Sequence, residues 1–252
     1  MNSSHVSLYI TRLYNQGFAA ATITSRMSAI SFAFKLFKQP DPVSDFSITC
    51  LLKSVRKARP RKESRLPLLP AILHSILNNI ESFGFPYYMQ ILFKSMVSLP
   101  FAAFLRPGEI TGTRNNLQLQ DIQIFDTTVV IAFTQYKHSN GMPFTLYVEA
   151  INSPYCPVKL LFDYLRIRGP YGGPLFCSIE GLSITYAKFK SMFSTAVTRV
   201  GVRGQMSPHA IRIGAATQAA ASGLYDTVIR QLGRWRSLRA HTNYVRLQSL
   251  HV

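Results

Sequence analysis

The hydrophobic period of this chain is helical on both sides of one stretch that reads instead as strands, and that pattern leaves few architectures open. From Ser4 to Gln16 the apolar residues Val6, Tyr9, Ile10 and Leu13 recur at helical spacing, with Ser3 or Ser4 placed to cap and Gly17 to stop the turn. Between Thr22 and Lys38, Ile23, Met27, Ile30, Phe34 and Phe37 form one stripe, while Arg26, Lys35 and Lys38 lie largely off it. A third helix, Ser44 to Lys57, buries Ile48, Leu51, Leu52 and Val55 and turns Lys53, Arg56 and Lys57 outward. Pro70 suits the first turn of a helix striped by Ile72, Leu73, Ile76, Leu77 and Ile80, and a longer helix starts at about Tyr87. Residues 117–149 then become rich in β-branched and aromatic types, in LQLQDIQI, TTVVIAFTQYK and MPFTLYVEA, with His138, Ser139, Asn140 and Gly141 as a turn and Lys137 at the hairpin tip. After CPVKLLFDYLRIRG the spacing is helical again, near Thr185 to Val200, His209 to Ser222, Asp226 to Leu232 and Arg239 to Leu247. The predicted fold is mainly α with a small antiparallel β-sheet: a helical unit over residues 1–58, a linker over 59–67 and a mixed α/β unit over 68–252.

Charge narrows the partners. Twenty-eight Lys and Arg stand against 11 Asp and Glu, a formal charge of +17 whose self-repulsion makes sense beside a polyanion. Nucleic acid leads, although a ribosomal or membrane-surface protein can be equally basic, so the arrangement of residues must decide. The densest basic run, KSVRKARPRKESR, holds Lys53, Arg56, Lys57, Arg59, Arg61, Lys62 and Arg65 and only one acid, Glu63. It reads either as a solvated linker or as a strap across a phosphate backbone, where each neutralised phosphate releases counterions. Arg26 and Lys35 join it as candidate DNA contacts.

Cys50, Cys156 and Cys177 are odd in number and form no C-x-x-C pair, so neither zinc nor a disulfide framework is expected and a reducing compartment fits. The start, MNSSHVSLYI, lacks a basic segment followed by an apolar one, so no secretory signal is read there. The most apolar stretch, Tyr87 to Leu105, is interrupted by Lys94 and Pro100 and reads as a buried helix ending near Pro100, not a membrane span. A soluble protein is expected.

Three segments carry candidate chemistry: LRPGEI around Arg106, SPHAIR from Ser207 to Arg212, and LGRWRSLRAHTNYVR from Leu232 to Arg246. His209 and Arg212 are three apart at a helix start, so both can face one phosphate. A phosphodiester gains negative charge on its non-bridging oxygens in the transition state, and fixed guanidinium and imidazole donors stabilise that charge better than water does. Each residue also has a plain structural reading: Arg106 and Glu109 as a surface pair, His209 as a cap, Trp235 as core and Tyr244 as a half-buried aromatic.

In this order the segments resemble the tyrosine recombinase (phage integrase) family. LRPGEI is similar to its first arginine box, SPHAIR to its H-x-x-R box, and Trp235 precedes Tyr244 by the nine residues of the family's His-or-Trp to Tyr spacing. The G-R-W and N-Y-V-R wording looks closest to Cre recombinase and to eukaryotic mobile-element recombinases of the DIRS-type and Crypton groups. Residues 1–65 also look like the helical core-binding domain of these enzymes. The resemblance implies that Tyr244 attacks the phosphorus, with Arg106, Arg212 and His209 favouring phenolate character in a group whose pKa is ordinarily near 10. It implies that Lys137 protonates the leaving 5′-oxygen, that Trp235 donates its indole N–H to a non-bridging oxygen, and that Glu109 buttresses Arg106 or His209. The product is a 3′-phosphotyrosine that stores the bond energy, so neither metal nor nucleotide cofactor is implied. The partners implied are double-stranded DNA and three further copies in a homotetramer on two DNA sites, with no membrane and no small-molecule substrate.

The chain departs from the pattern in places. Ile213 follows Arg212 where many members carry histidine, and eight residues follow Tyr244 where Cre-like enzymes dock a longer helix into a neighbour. The N-terminal unit looks a helix short, as in a fragment or a truncation. Two rival readings keep the DNA partner: a type IB topoisomerase with the same tyrosine chemistry, and a catalytically silent DNA-binding module derived from a recombinase. A metal-dependent nuclease needs clustered carboxylates, and the 11 acids are scattered. The expected location is the nucleus for a eukaryotic mobile element, and the cytoplasm or nucleoid otherwise.

Overall fold

The computed structural model describes residues 2–60, 65–112, 114, 116–134, 136, 139, 141–204, 206–237 and 244–246. The chain divides into two compact units, residues 1–64 and residues 65–252.

The first unit is three helices, α1 (Ser3–Asn15), α2 (Ala20–Leu36) and α3 (Phe46–Ala58). Its core is Val6, Ile10, Leu13, Ala20, Ile23, Met27, Ile48 and Val55, drawn from all three stripes. At roughly 1.5–3 kcal/mol for each large aliphatic removed from water, that core is small and its ends need local bonds. Asn2 caps α1 one residue earlier than expected: its side chain accepts the His5 N–H at 3.1 Å, and His5 Nδ1 faces the Asn2 N–H at 3.4 Å. Asp45 accepts the Ser47 N–H at 2.8 Å and starts α3. The predicted α2 stripe is buried only in its first half. Phe37, just past the helix, is 72% exposed, because Lys38 takes a left-handed turn (φ 54°) and leads the chain away.

In the second unit α4 (Pro70–Asn79) runs into a 3-10 turn and then α5 (Tyr87–Ala102), which packs against α4, a four-residue helix α6 (Pro107–Ile110), α7 (Pro157–Arg168) and α9 (His209–Ala221). Leu92, Phe93, Met96, Val97 and Leu99 of α5 are fully buried, so the most apolar stretch of the sequence is the central helix of this unit. It ends near Pro100, as expected, at Ala102. A proline in the last turn removes one donor only, and the Ala103 N–H still reaches the Leu99 carbonyl at 2.8 Å. Helices α8 (Tyr186–Arg199) and α10 (Asp226–Leu232) complete the unit.

The sheet is antiparallel in the order β1 (Ile122–Ile124), β2 (Thr128–Phe133) and β3 (Phe144–Glu149), with Ile122 opposite Ile131 and Phe133 opposite Phe144. Val129, Ile131, Phe133, Leu146 and Val148 face the core, and Thr145, Tyr147 and Glu149 face out, the alternation expected of a sheet covered on one side. The first strand is shorter than its sequence suggested. The Asp121 carboxylate accepts the Gln118 N–H at 2.8 Å, and Leu119–Asp121 form a 3-10 turn instead. The helix expected over Arg239–Leu247 also differs where it is described. Residues 244–246 are not helical: the Thr217 hydroxyl donates to the Tyr244 carbonyl at 3.3 Å and accepts the Arg246 N–H at 3.0 Å. Residues 239–243 and 247 lie outside the described residues.

Candidate active site

After α5, Phe104 takes a left-handed turn (φ 51°) and delivers Arg106 as the cap of α6, with Pro107 at its first position. Glu109, 7% exposed, folds back on that cap: Oε2 accepts the Arg106 N–H at 2.7 Å and Oε1 accepts Nη1 at 2.9 Å. The pair is a half-buried clamp with two bonds, not a loose surface contact.

His209 opens α9, and its Nε2 lies 3.1 Å from the Tyr244 hydroxyl. Arg212, one turn on, is fully buried, and its two terminal nitrogens donate to the carbonyls of Phe104 and Gly233. It meets Tyr244 from within the fold, its guanidinium carbon 5.5 Å from that ring and 4.4 Å from the Trp235 ring. Burial, with repulsion from Arg106 and Arg234, pulls its pKa down to about 9, and Glu109 and Tyr244 oppose that shift. The group is still a cation at neutral pH.

Trp235 is 8% exposed, edge-on to Phe104 at 6.4 Å and 4.8 Å from the Tyr244 ring. Gly233 makes room for it: a Cβ there would fall 1.7 Å from the indole. Phe104, Ala215, Ala216, Ile229 and Trp235 form a small apolar cluster on which Tyr244 and Val245 rest, and it holds the phenol beside His209.

Sequence reasoning missed Arg234. It sits at φ 52° with its side chain 1% exposed and donates to Glu109 Oε2 at 2.7 Å, so one carboxylate joins two arginines. Burial pushes the Glu109 carboxyl up, but Arg234 and then Arg106 outweigh it and hold the pKa below its usual value. The available signal was only the place of this arginine, between Gly233 and the lone tryptophan. Arg106, Glu109 and His209 line a cleft of about 810 Å³ together with Arg114, Tyr136 and Tyr186, three residues the motifs did not point to.

Lys137 lies outside the described residues, as do Arg61 and Lys62. Of the other basic candidates, Lys53, Arg56 and Lys57 are exposed, and Lys35 is 3.5 Å from Asp41. Lys35, Lys53 and Arg56 line one concavity of about 530 Å³. Arg59 and Arg26 are engaged within their own unit. Arg59 stacks on Tyr14 at 4.1 Å and donates to the Phe18 carbonyl at 3.0 Å, and Arg26 stacks on Phe18 at 4.4 Å. Arg65 is half-buried. Among the described residues no three His, Cys, Asp or Glu side chains gather as a metal site would need, and no helix is long and apolar enough to cross a membrane.

A helical unit with one three-stranded antiparallel sheet, an arginine box, an H-x-x-R box and a tyrosine nine residues past a tryptophan together define the tyrosine recombinase class. Residues 69–251 match the model of the Phage integrase family, and the chain belongs to that family. Its fold is similar to that of the Tn1549 transposon integrase in complex with transposon right end DNA, at TM-score 0.67 and 16% identity over 100% of this chain and 84% of that one. The XerH site-specific recombinase, in a post-cleavage complex on a palindromic difH substrate, gives TM-score 0.70 and 15% identity over 97% of this chain and 68% of that one. A lambda integrase dimer bound to a COC′ core site gives TM-score 0.66 and 16% identity over 98% and 65%. No curated protein matches the sequence.

Proposed function

We propose that this chain is a site-specific DNA recombinase that cleaves and rejoins DNA through a 3′-phosphotyrosine on Tyr244, without a metal. The observation that carries the reading is the seat of that phenol, 3.1 Å from His209 Nε2 and beside the Arg212 guanidinium and the Trp235 indole. A phenol at neutral pH is a weak nucleophile, and an imidazole at hydrogen-bond distance is placed to take its proton as the oxygen attacks phosphorus. Arg106 and Arg212 supply the positive charge that the five-coordinate phosphate demands. The Arg212 Nε–H is buried without a hydrogen-bond partner among the described residues.

The P–O bond to the leaving 5′-oxygen breaks as the bond to Tyr244 forms, and that oxygen takes a proton from Lys137. Reversal with a new 5′-hydroxyl rejoins the strand at no net loss of bonds, so no cofactor is consumed. The substrate is double-stranded DNA, held in part by Lys53, Arg56 and Lys57, and the working assembly is a homotetramer on two sites. It acts in the nucleus if the host is eukaryotic and in the cytoplasm or nucleoid otherwise.

A nicked suicide duplex tests the reading. The wild-type protein is expected to accumulate a covalent DNA adduct, and Tyr244→Phe to abolish it while DNA affinity stays within about threefold, since a lost hydroxyl removes chemistry and not phosphate contacts. Binding without any adduct would instead identify a silent module, and plasmid relaxation without exchange between two sites would identify a topoisomerase.

A further inference from the structure

We infer that Arg234 is a positioning residue that holds the Arg106 guanidinium and the base of the Lys137 hairpin in one fixed relation, an assignment that rests on the recombinase reading above. Three observations meet at this side chain. Its backbone carbonyl accepts a hydrogen bond from Arg106 Nη2 at 3.3 Å. Its guanidinium donates to Glu109 Oε2 at 2.7 Å, the oxygen that also takes the Arg106 backbone N–H. Its guanidinium carbon lies 4.2 Å from the Phe133 ring and 5.9 Å from the Phe144 ring. Phe133 and Phe144 are the final opposed pair of β2 and β3, so they flank the connection that carries Lys137.

The residue is an improbable choice for anything less. A buried arginine must be desolvated, and a leucine or methionine would fill the same space without that cost. A left-handed backbone is accommodated by glycine, whereas Arg234 adopts φ 52° with a long side chain attached. That backbone turns its carbonyl toward Arg106 while the side chain runs under the strands, so both arms of the clamp depend on it. The planar fork also reaches the carbonyls of Leu232 at 3.3 Å and Phe104 at 3.5 Å, and the latter is an acceptor of Arg212. Arg106, Arg212 and the hairpin base are thereby tied through one group, which touches no reacting atom itself.

The test compares the full-length protein with Arg234→Met, which keeps the stem and removes the fork, and Arg234→Lys, which keeps charge without planarity. At saturating suicide duplex the methionine variant is expected to form adduct about a hundredfold more slowly, the scale of an ångström misplacement, with affinity within about threefold. The lysine variant is expected to be about tenfold slower, a partial rescue. Glu109 is faced by Arg106 on its own helix, by Arg234 after α10 and by Arg212 on α9, and Tyr136 lies near Arg234. Loss of Arg234 removes the strongest of the charges that hold the carboxylate ionised. The acid limb of the cleavage profile, and the Glu109 titration followed by carbon NMR, should therefore both move to higher pH in the methionine variant and not in the lysine variant. A lysine variant that cleaves at the wild-type rate overturns the proposal even if the methionine variant fails to fold. An unmoved Glu109 midpoint overturns it even if the wild-type protein forms no adduct, an outcome that would on its own remove only the recombinase reading.

Discussion

Glu109 shows how a single side chain can control several others. It is bonded to both Arg106 and Arg234, and it is 7% exposed, so its charge is felt at low dielectric. Its pKa is held below the usual 4.5 by Arg234 and Arg106 against the upward push of burial. A folded-state value below the unfolded one adds stability that is fully present above the unfolded value and is lost as pH falls through the folded one. Glu109→Gln is therefore expected to lower stability by about 3 kcal/mol at neutral pH, the scale of breaking one side of a buried pair. The gap to wild type should shrink as pH drops below about 4.5. Thermal melts of both proteins from pH 7 to pH 3 give the comparison, and a gap constant across that range would show that the carboxylate does not act through charge.

At the level of elements, α9 is placed by backbone and not by side chains alone. Gly214 lies against the stretch before α4: a Cβ there would fall 1.9 Å from the Leu68 carbonyl oxygen, and the Leu68 N–H donates to the Ala210 carbonyl at 2.9 Å. Backbone cannot yield as a flexible side-chain tip can. Gly214→Ala is expected to cost about 2–3 kcal/mol in urea unfolding, as overpacking of a close contact does. Unchanged stability would mean that the stretch before α4 moves freely. Since α9 carries both His209 and Arg212, its seat is also theirs.

Helices such as α3, α8 and α10 were legible because their stripes repeat within a few residues, and the three strands because β-branched and aromatic residues cluster between turn signals. The short first strand and the non-helical Tyr244 segment were not, because each is decided by a hydrogen bond whose partner the local period does not reveal. The site divides the same way. Arg106, His209, Arg212, Trp235 and Tyr244 stand in short recognisable segments, and of these His209, Arg212 and Trp235 meet at the Tyr244 ring. Arg234 reaches Glu109 across 125 positions, and Arg106 reaches the Arg234 carbonyl across 128, distances no spacing rule covers.

Across the whole molecule the charge is uneven in a way that bears on DNA affinity. Residues 1–64 hold ten Lys and Arg against three acids, a larger excess per residue than the rest of the chain carries. The structure separates these cations by what they already do. Lys53 and Lys57 are exposed, so they can neutralise phosphates, whereas Arg59 is stacked on Tyr14 and bonded to the Phe18 carbonyl. Counterion release ties the salt dependence of binding to the number of phosphates neutralised, about 0.9 in log–log slope for each on duplex DNA. Lys53→Ala and Lys57→Ala are each expected to reduce that slope by about 0.9 without changing the melting temperature. Arg59→Ala is expected to do the reverse, lowering the melting temperature through lost stacking while leaving the slope within error. Titrations of a labelled duplex at several salt concentrations, paired with melts of the same variants, measure both quantities. If all three variants changed the slope equally, the cations of this unit would act as a diffuse field, and their individual placement in the fold would not matter to DNA binding.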